Sequence, residues 1–105
     1  MDNSDLNIVR ELKSKLQSHV QLRRLCVFGS RARGDADPDS DMDVLVEVNA
    51  LDRQARKQVT EDAWEVGLRN GVVIVPVTVE RSEWETGVQK SSLLAMAVAM
   101  EGIEV

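Results

Sequence analysis

The sequence predicts a single small α/β (α+β) domain, a mixed β-sheet of three to four strands flanked by helices. Three observations predict it. Stretches with apolar residues at helical spacing, 4–18 and 49–68, alternate with short apolar runs at 25–28, 42–48 and 72–79. A chain of 105 residues suits one domain, 1–105, with a modest core, and is too short for two. No internal repeat or low-complexity segment interrupts the pattern.

Each element has a local reason. Ser4 is a candidate cap for a first helix, and Leu6, Val9, Leu12 and Leu16 form a core stripe along it. The first strand is expected at 25–28 and the second at 42–48. Asn49 is a candidate cap for a long helix through Leu68, with Leu51, Ala55, Val59, Trp64 and Val66 as its apolar surface and Asn70-Gly71 as its stop. Its charges, Asp52, Arg53, Arg56, Lys57, Glu61 and Asp62, read as a solvated face. The third strand, 72–79, is nearly continuous in apolar and β-branched residues, as for a strand buried on both faces. Pro76 has no ladder donor, so an edge, a bulge or a gap in pairing is expected there. Ser82 and Glu85 have capping-box spacing for the next helix, and Trp84 is expected to pack over the sheet. Ser91 or Ser92 starts a last helix that is apolar almost all round before Glu101-Gly102. Such a helix needs cover on most sides. It either closes the core or meets a partner or twin subunit, to which methionine is well suited.

The chemistry concentrates between residues 25 and 48. A chain leaving an apolar strand through Gly29 can bring its backbone close to a ligand. A helix opening at Ser30 presents N–H groups and a positive dipole end to phosphate. Ser30 adds a hydroxyl and Arg31 and Arg33 add positive charge, although arginines beside an acidic loop are equally suited to pairing with it. Gly34 is expected to end this helix, and residues 35–39, with Pro38 at one turn position, return the chain to the next strand. Alternation on that strand sets Asp41 and Asp43 on one face and Met42, Val44 and Val46 on the other. Two carboxylates so close repel each other unless something positive lies between them. Magnesium takes oxygen ligands and completes its octahedron with water and substrate phosphates, which makes it the natural candidate. A calcium loop fails on registration. Counted from Asp35, the tight-turn position holds Ser40 instead of glycine, and the bidentate position holds Val46 instead of glutamate.

The run Gly29-Ser30-Arg31-Ala32-Arg33-Gly34-Asp35 with Pro38-Asp39-Ser40-Asp41-Met42-Asp43-Val44-Leu45-Val46-Glu47 resembles the signature of the minimal nucleotidyltransferases, small members of the DNA polymerase β-like superfamily. The resemblance implies a polymerase β-like nucleotidyltransferase fold in which Gly29 and Ser30 hold a triphosphate and Asp41 and Asp43 are catalytic metal ligands. It also implies Mg2+, two ions with nucleotide bound, and transfer of a nucleoside monophosphate, most often AMP from ATP, to an acceptor hydroxyl. The family's catalytic set has a third carboxylate on the later strand beside Asp-x-Asp. Here that strand, 72–79, contains no acid, and Glu80 at its end is the candidate substitute. General-base assistance is worth about 10²–10⁴-fold in rate, so nucleotide binding would outlast its loss better than turnover.

The formal net charge of -5 and the lack of a basic tract argue against a long nucleic acid as partner. Cys26 is the only cysteine, which excludes an intrachain disulfide and suits a reducing cytoplasm. No leader pattern or membrane-length apolar run is present, so no membrane association is expected. His19 has no neighbouring ligand residues in the sequence and is expected to be exposed. The resemblance further implies an acceptor site supplied by another subunit or protein, since minimal nucleotidyltransferases are often paired with a helical HEPN-class toxin. Catalytic modification and an antitoxin-like binding role with weak or no catalysis are the two functions that follow.

Overall fold

Apolar side chains recurring at helical spacing make α1 (Asn3–His19), which buries Ile8, Val9, Leu12 and Leu16. The computed structural model describes residues 1–86 and 92–105. Asp2, not Ser4, caps α1, accepting the Asp5 N–H at 2.8 Å. Such a cap is worth about 1 kcal/mol. Strand β1 (Leu22–Phe28) begins earlier than expected because its first residues pair with the end of β2 (Met42–Val48), Leu22 opposite Val48. Between them lies α2 (Ser30–Arg33), closed by Gly34 in the left-handed conformation.

Helix α3 (Arg53–Asn70) starts after Asp52, whose side chain accepts the Ala55 N–H at 2.8 Å, so the cap is Asp52 and not Asn49. Gly71, at φ 69°, ends it. Two side chains of α3 depart from the sequence expectation. Asp62 is 1 % exposed, held by His19 Nδ1 at 2.8 Å and by Gln58. His19 itself is thereby tied to α3. Trp64 is 68 % exposed, because Val59, Ala63 and Val66 already fill the buried stripe.

Strand β3 (Ile74–Glu80) leads into α4 (Arg81–Thr86), then come α5 (Leu93–Glu101) and the two-residue β4 (Ile103–Glu104). The sheet order is β3-β2-β1-β4, with β3 parallel to β2 and the other pairs antiparallel. Strand β3 is therefore an edge and is not buried on both faces; only Ile74 and Val79 are fully covered. Met42 donates its N–H to the Val73 carbonyl, so by alternation the backbone groups of residue 76 point away from β2. A proline there removes an outward donor, which blunts the open edge against pairing. Helix α4 begins before Ser82, whose hydroxyl donates to Glu80 Oε1. Ser92 caps α5; Ser91 lies outside the described residues.

The sheet separates two cores. Met42, Val44, Val46 and Val48 join Leu25 and Val27 against α1 and α3, while Cys26 and Leu45 pack with Val79, Trp84 and Val98 on the opposite side. Burying one such aliphatic side chain contributes roughly 1.5–3 kcal/mol. Among the described residues no helix is long and apolar enough to cross a membrane.

Candidate nucleotide site

The β1–β2 ladder sets Asp43 opposite Phe28, and the chain turns at the next residue. Gly29 has φ 78° and ψ −158°, a conformation that only glycine adopts without strain. A Cβ there would lie 2.6 Å from Asp43 Oδ2, so the turn and the carboxylate meet only because the side chain is absent. Asp41 precedes β2 and is exposed, whereas Asp43 is half-buried. Burial, then the charges of Asp41 and Glu101, push the Asp43 carboxyl above its usual range.

Glu101 is the acid that the sequence did not disclose. Its Oε1 accepts the Gly29 N–H at 3.0 Å, and its Oε2 accepts from Arg33 Nη1 at 2.9 Å. The pairing of β4 with β1 explains the placement: Ile103 lies opposite Val27, and the same register carried two residues further sets 101 against 29. No local sequence pattern announces a pairing across that separation.

The structure brings Gly29, Ser30, Arg33, Asp41 and Asp43 to one end of the sheet and leaves two candidates elsewhere. Arg31 is buried and engaged with protein. Its Nη1 donates to Asp5 Oδ1 at 2.7 Å, and its remaining donors hold the carbonyls of Pro38 and Ser40. It ties α1 to the loop that delivers Asp41, so its charge is already answered by a buried partner instead of being held out to a ligand. Asp5, a buried acid in the first turn of α1, had no sequence signal for this role. Glu80 pairs with Val48 in the β2–β3 ladder, while Asp43 pairs with Val75. The two positions are five residues apart on β3, about 16 Å along the ladder. Glu80 instead accepts the Leu51 N–H and the Ser82 hydroxyl, which hold its carboxyl below the usual range. The position beside Asp43 on β3 is occupied by Val75, 37 % exposed.

The donor chemistry fits a hard cation carried in with phosphate. Asp41 and Asp43 offer only oxygen, and Asp43 sits among like charges with no ion pair formed to it among the described residues. No group of three or more His, Cys, Asp or Glu surrounds a single metal position among the described residues. Other ligands would therefore have to be water and phosphate oxygens, as magnesium prefers.

Comparison with known proteins gives the family. The profile of the nucleotidyltransferase domain matches residues 9–96. The chain is 31% identical over 80 residues to a "putative protein adenylyltransferase" of Methanocaldococcus jannaschii, covering 73% of this chain and 81% of that one. A solved structure described as a "putative minimal nucleotidyltransferase" superposes with a TM-score of 0.67 at 28% identity, covering 100% of this chain and 97% of the other. A toxin–antitoxin crystal structure with AMP-PNP has the same fold, with a TM-score of 0.67 at 23% identity over 98% of this chain and 72% of that chain. With a matching profile over most of its length, a shared sheet and an Asp-x-Asp strand set against a glycine turn, the chain belongs to the nucleotidyltransferase domain family, among the minimal nucleotidyltransferases of the polymerase β-like superfamily.

Proposed function

We propose that residues 1–105 act as a magnesium-dependent nucleotidyltransferase unit that moves a nucleoside monophosphate, AMP from ATP, onto a hydroxyl of a partner protein, with the α–β phosphate bond broken and pyrophosphate released. The observation that carries this reading is Asp43 packed against the Gly29 turn with the charge of Asp41 beside it and no ion pair formed to Asp43 among the described residues. Asp41 and Asp43 would hold the metal ions, Gly29 and Ser30 would present backbone and hydroxyl donors to the phosphates, and Arg33, at the end of α2, would answer phosphate charge. Magnesium, when bound there, would supply charge neutralisation on the phosphates. The chain's own contribution is positioning, which can supply much of the acceleration in such transfers. The adenylyltransferase name of the archaeal relative supports AMP and a protein acceptor. The buried Cys26 thiol suits a reducing cytoplasm.

The apolar exposure of α5 supports a protein partner, or a second copy, seated on that helix. Leu93 and Met100 are 85% and 84% exposed, and Met96 lies between them. A toxin as that partner is the reading supported by the neighbour described as a toxin–antitoxin with AMP-PNP.

A second reading, an antitoxin-like subunit acting by binding with weak catalysis, is favoured by Val75 in the place beside Asp43 where an acid would be useful. Incubation with labelled ATP, magnesium and the co-purified partner separates the two. Transfer of label by wild type and its loss in Asp43→Asn supports chemistry; equal labelling by both rules out the assigned site. Undiminished inhibition of the partner by an Asp41→Asn/Asp43→Asn double variant would establish the binding role instead.

A further inference from the structure

The carboxylate of Glu101 takes the very donors that the nucleotide reading gives to phosphate. Gly29 N–H donates to one oxygen at 3.0 Å, and Arg33 Nη1 donates to the other at 2.9 Å. Carboxylate and phosphate oxygens are interchangeable acceptors for backbone N–H and guanidinium groups. The contact is built by the sheet, because Val105 N–H donates to the Leu25 carbonyl at 2.9 Å and Lys13 Nζ donates to the Val105 carbonyl at 2.8 Å, which anchors the chain just beyond Glu101. The Glu101 side chain can therefore leave by rotating its own torsions while the backbone stays. Its presence also adds negative charge beside Asp43 in the ligand-free protein.

We infer that Glu101 is an internal phosphate surrogate that sets nucleotide affinity, occupying Gly29 N–H and Arg33 until a polyphosphate displaces it. This rests on the nucleotide reading of the same site. Displacement by a simple monoanion exchanges like for like and must also overcome the high effective concentration of a tethered group. A triphosphate reaching the metal held by Asp41 and Asp43 gains further contacts, so the surrogate favours long phosphate chains over single anions.

The test is calorimetric titration of the full chain with magnesium AMP-PNP and, separately, with inorganic triphosphate in the presence of a chelator. Glu101→Ala should bind both on the order of tenfold tighter than wild type. Glu101→Gln, which keeps an acceptor oxygen without the charge, should fall between them. Asp35→Asn is the control, since Asp35 Oδ2 pairs with the same arginine at 3.2 Å but leaves the Gly29 N–H untouched. It should tighten binding less than about threefold, in line with an exposed pair. Equal tightening by Asp35→Asn and Glu101→Ala would overturn the surrogate role, because net charge alone would then account for it. Unchanged or weaker binding by Glu101→Ala, with wild type binding normally, overturns this inference alone. No binding of either probe to wild type or variant overturns the nucleotide reading with it.

Discussion

Asp43 and Glu47 lie on the same face of the same strand, four positions apart, and the protein treats them in opposite ways. Glu47 is 3 % exposed and sits opposite Arg24 in the ladder; Arg24 Nε donates to it at 2.9 Å and Arg23 Nε lies at 3.8 Å. Asp43 sits opposite Phe28, and the groups that shape its titration besides burial are two more acids, Asp41 and Glu101. Buried charge is matched where it only holds the fold together. At the other end of the face no ion pair to Asp43 is formed among the described residues, which leaves room for the proposed cation. The contrast locates the site better than the count of acids does, because acids are spread along the whole chain. Arg31 and Asp5 repeat the matched pattern beside the site, holding the Asp41 loop without offering charge to a ligand.

The sharpest way to break the comparison is to neutralise each acid in turn. Asp43→Asn should lower label transfer by at least about 100-fold and raise the Tm of the ligand-free protein by a few degrees, since it removes a crowded charge. The pH dependence has a definite sign. The folded-state value of Asp43 is raised, so the folded protein takes up this proton before the unfolded chain does, and its strain is relieved as pH falls through that raised value. The Tm advantage of Asp43→Asn should therefore be full at neutral pH and shrink on acidification, as thermal unfolding at a series of pH values would reveal. A constant or growing advantage would mean that Asp43 is not the crowded group.

Next in size is Arg31→Ala, which strands Asp5 in the interior and frees two carbonyls of the Asp41 loop. Loss of a buried partner of this kind costs about 3–5 kcal/mol, readable as a lower denaturant midpoint. Glu47→Gln should cost about 1–3 kcal/mol by weakening the hold on Arg24, while leaving the affinity for magnesium AMP-PNP within twofold of wild type. A large change in nucleotide affinity here would dissolve the distinction between the two ends of the strand. Smallest of all, Glu80→Gln should alter labelling by less than about twofold and stability by about 1 kcal/mol or less, as for a half-buried group far from the reacting atoms that keeps an acceptor oxygen for Leu51 N–H. A steep loss of labelling would return Glu80 to the site.

Much of the site was readable because its residues are close in sequence. Gly29, Ser30, Asp41 and Asp43 lie on two adjacent antiparallel strands and the connection between them, so alternation and a short return suffice to bring them together. The missing donor of Pro76 left an edge, a bulge or a gap in pairing open, and the sheet order makes it an edge, although the apolar run around it suggested a strand buried on both faces. Caps were misplaced by two or three residues, Asp2 for Ser4 and Asp52 for Asn49, because several good capping residues precede each helix and the backbone chooses among them. Trp64 is exposed and Asp62 buried, the reverse of the expectation from sequence, since a helix with weak amphipathic contrast leaves its orientation to packing.

What the sequence by itself determined is therefore the order of the elements, the glycine turn and the carboxylate strand, all of which rest on periodicity and steric limits acting over a few residues. Tertiary structure decided what those features meet. Glu101 reaches Gly29 only through the β4–β1 pairing, Arg31 is withdrawn to Asp5 across the first helix, and Glu80 is stranded at the far end of a parallel ladder. Contacts between distant segments depend on register and on which buried charges must be matched, and neither is written in any short stretch of chain.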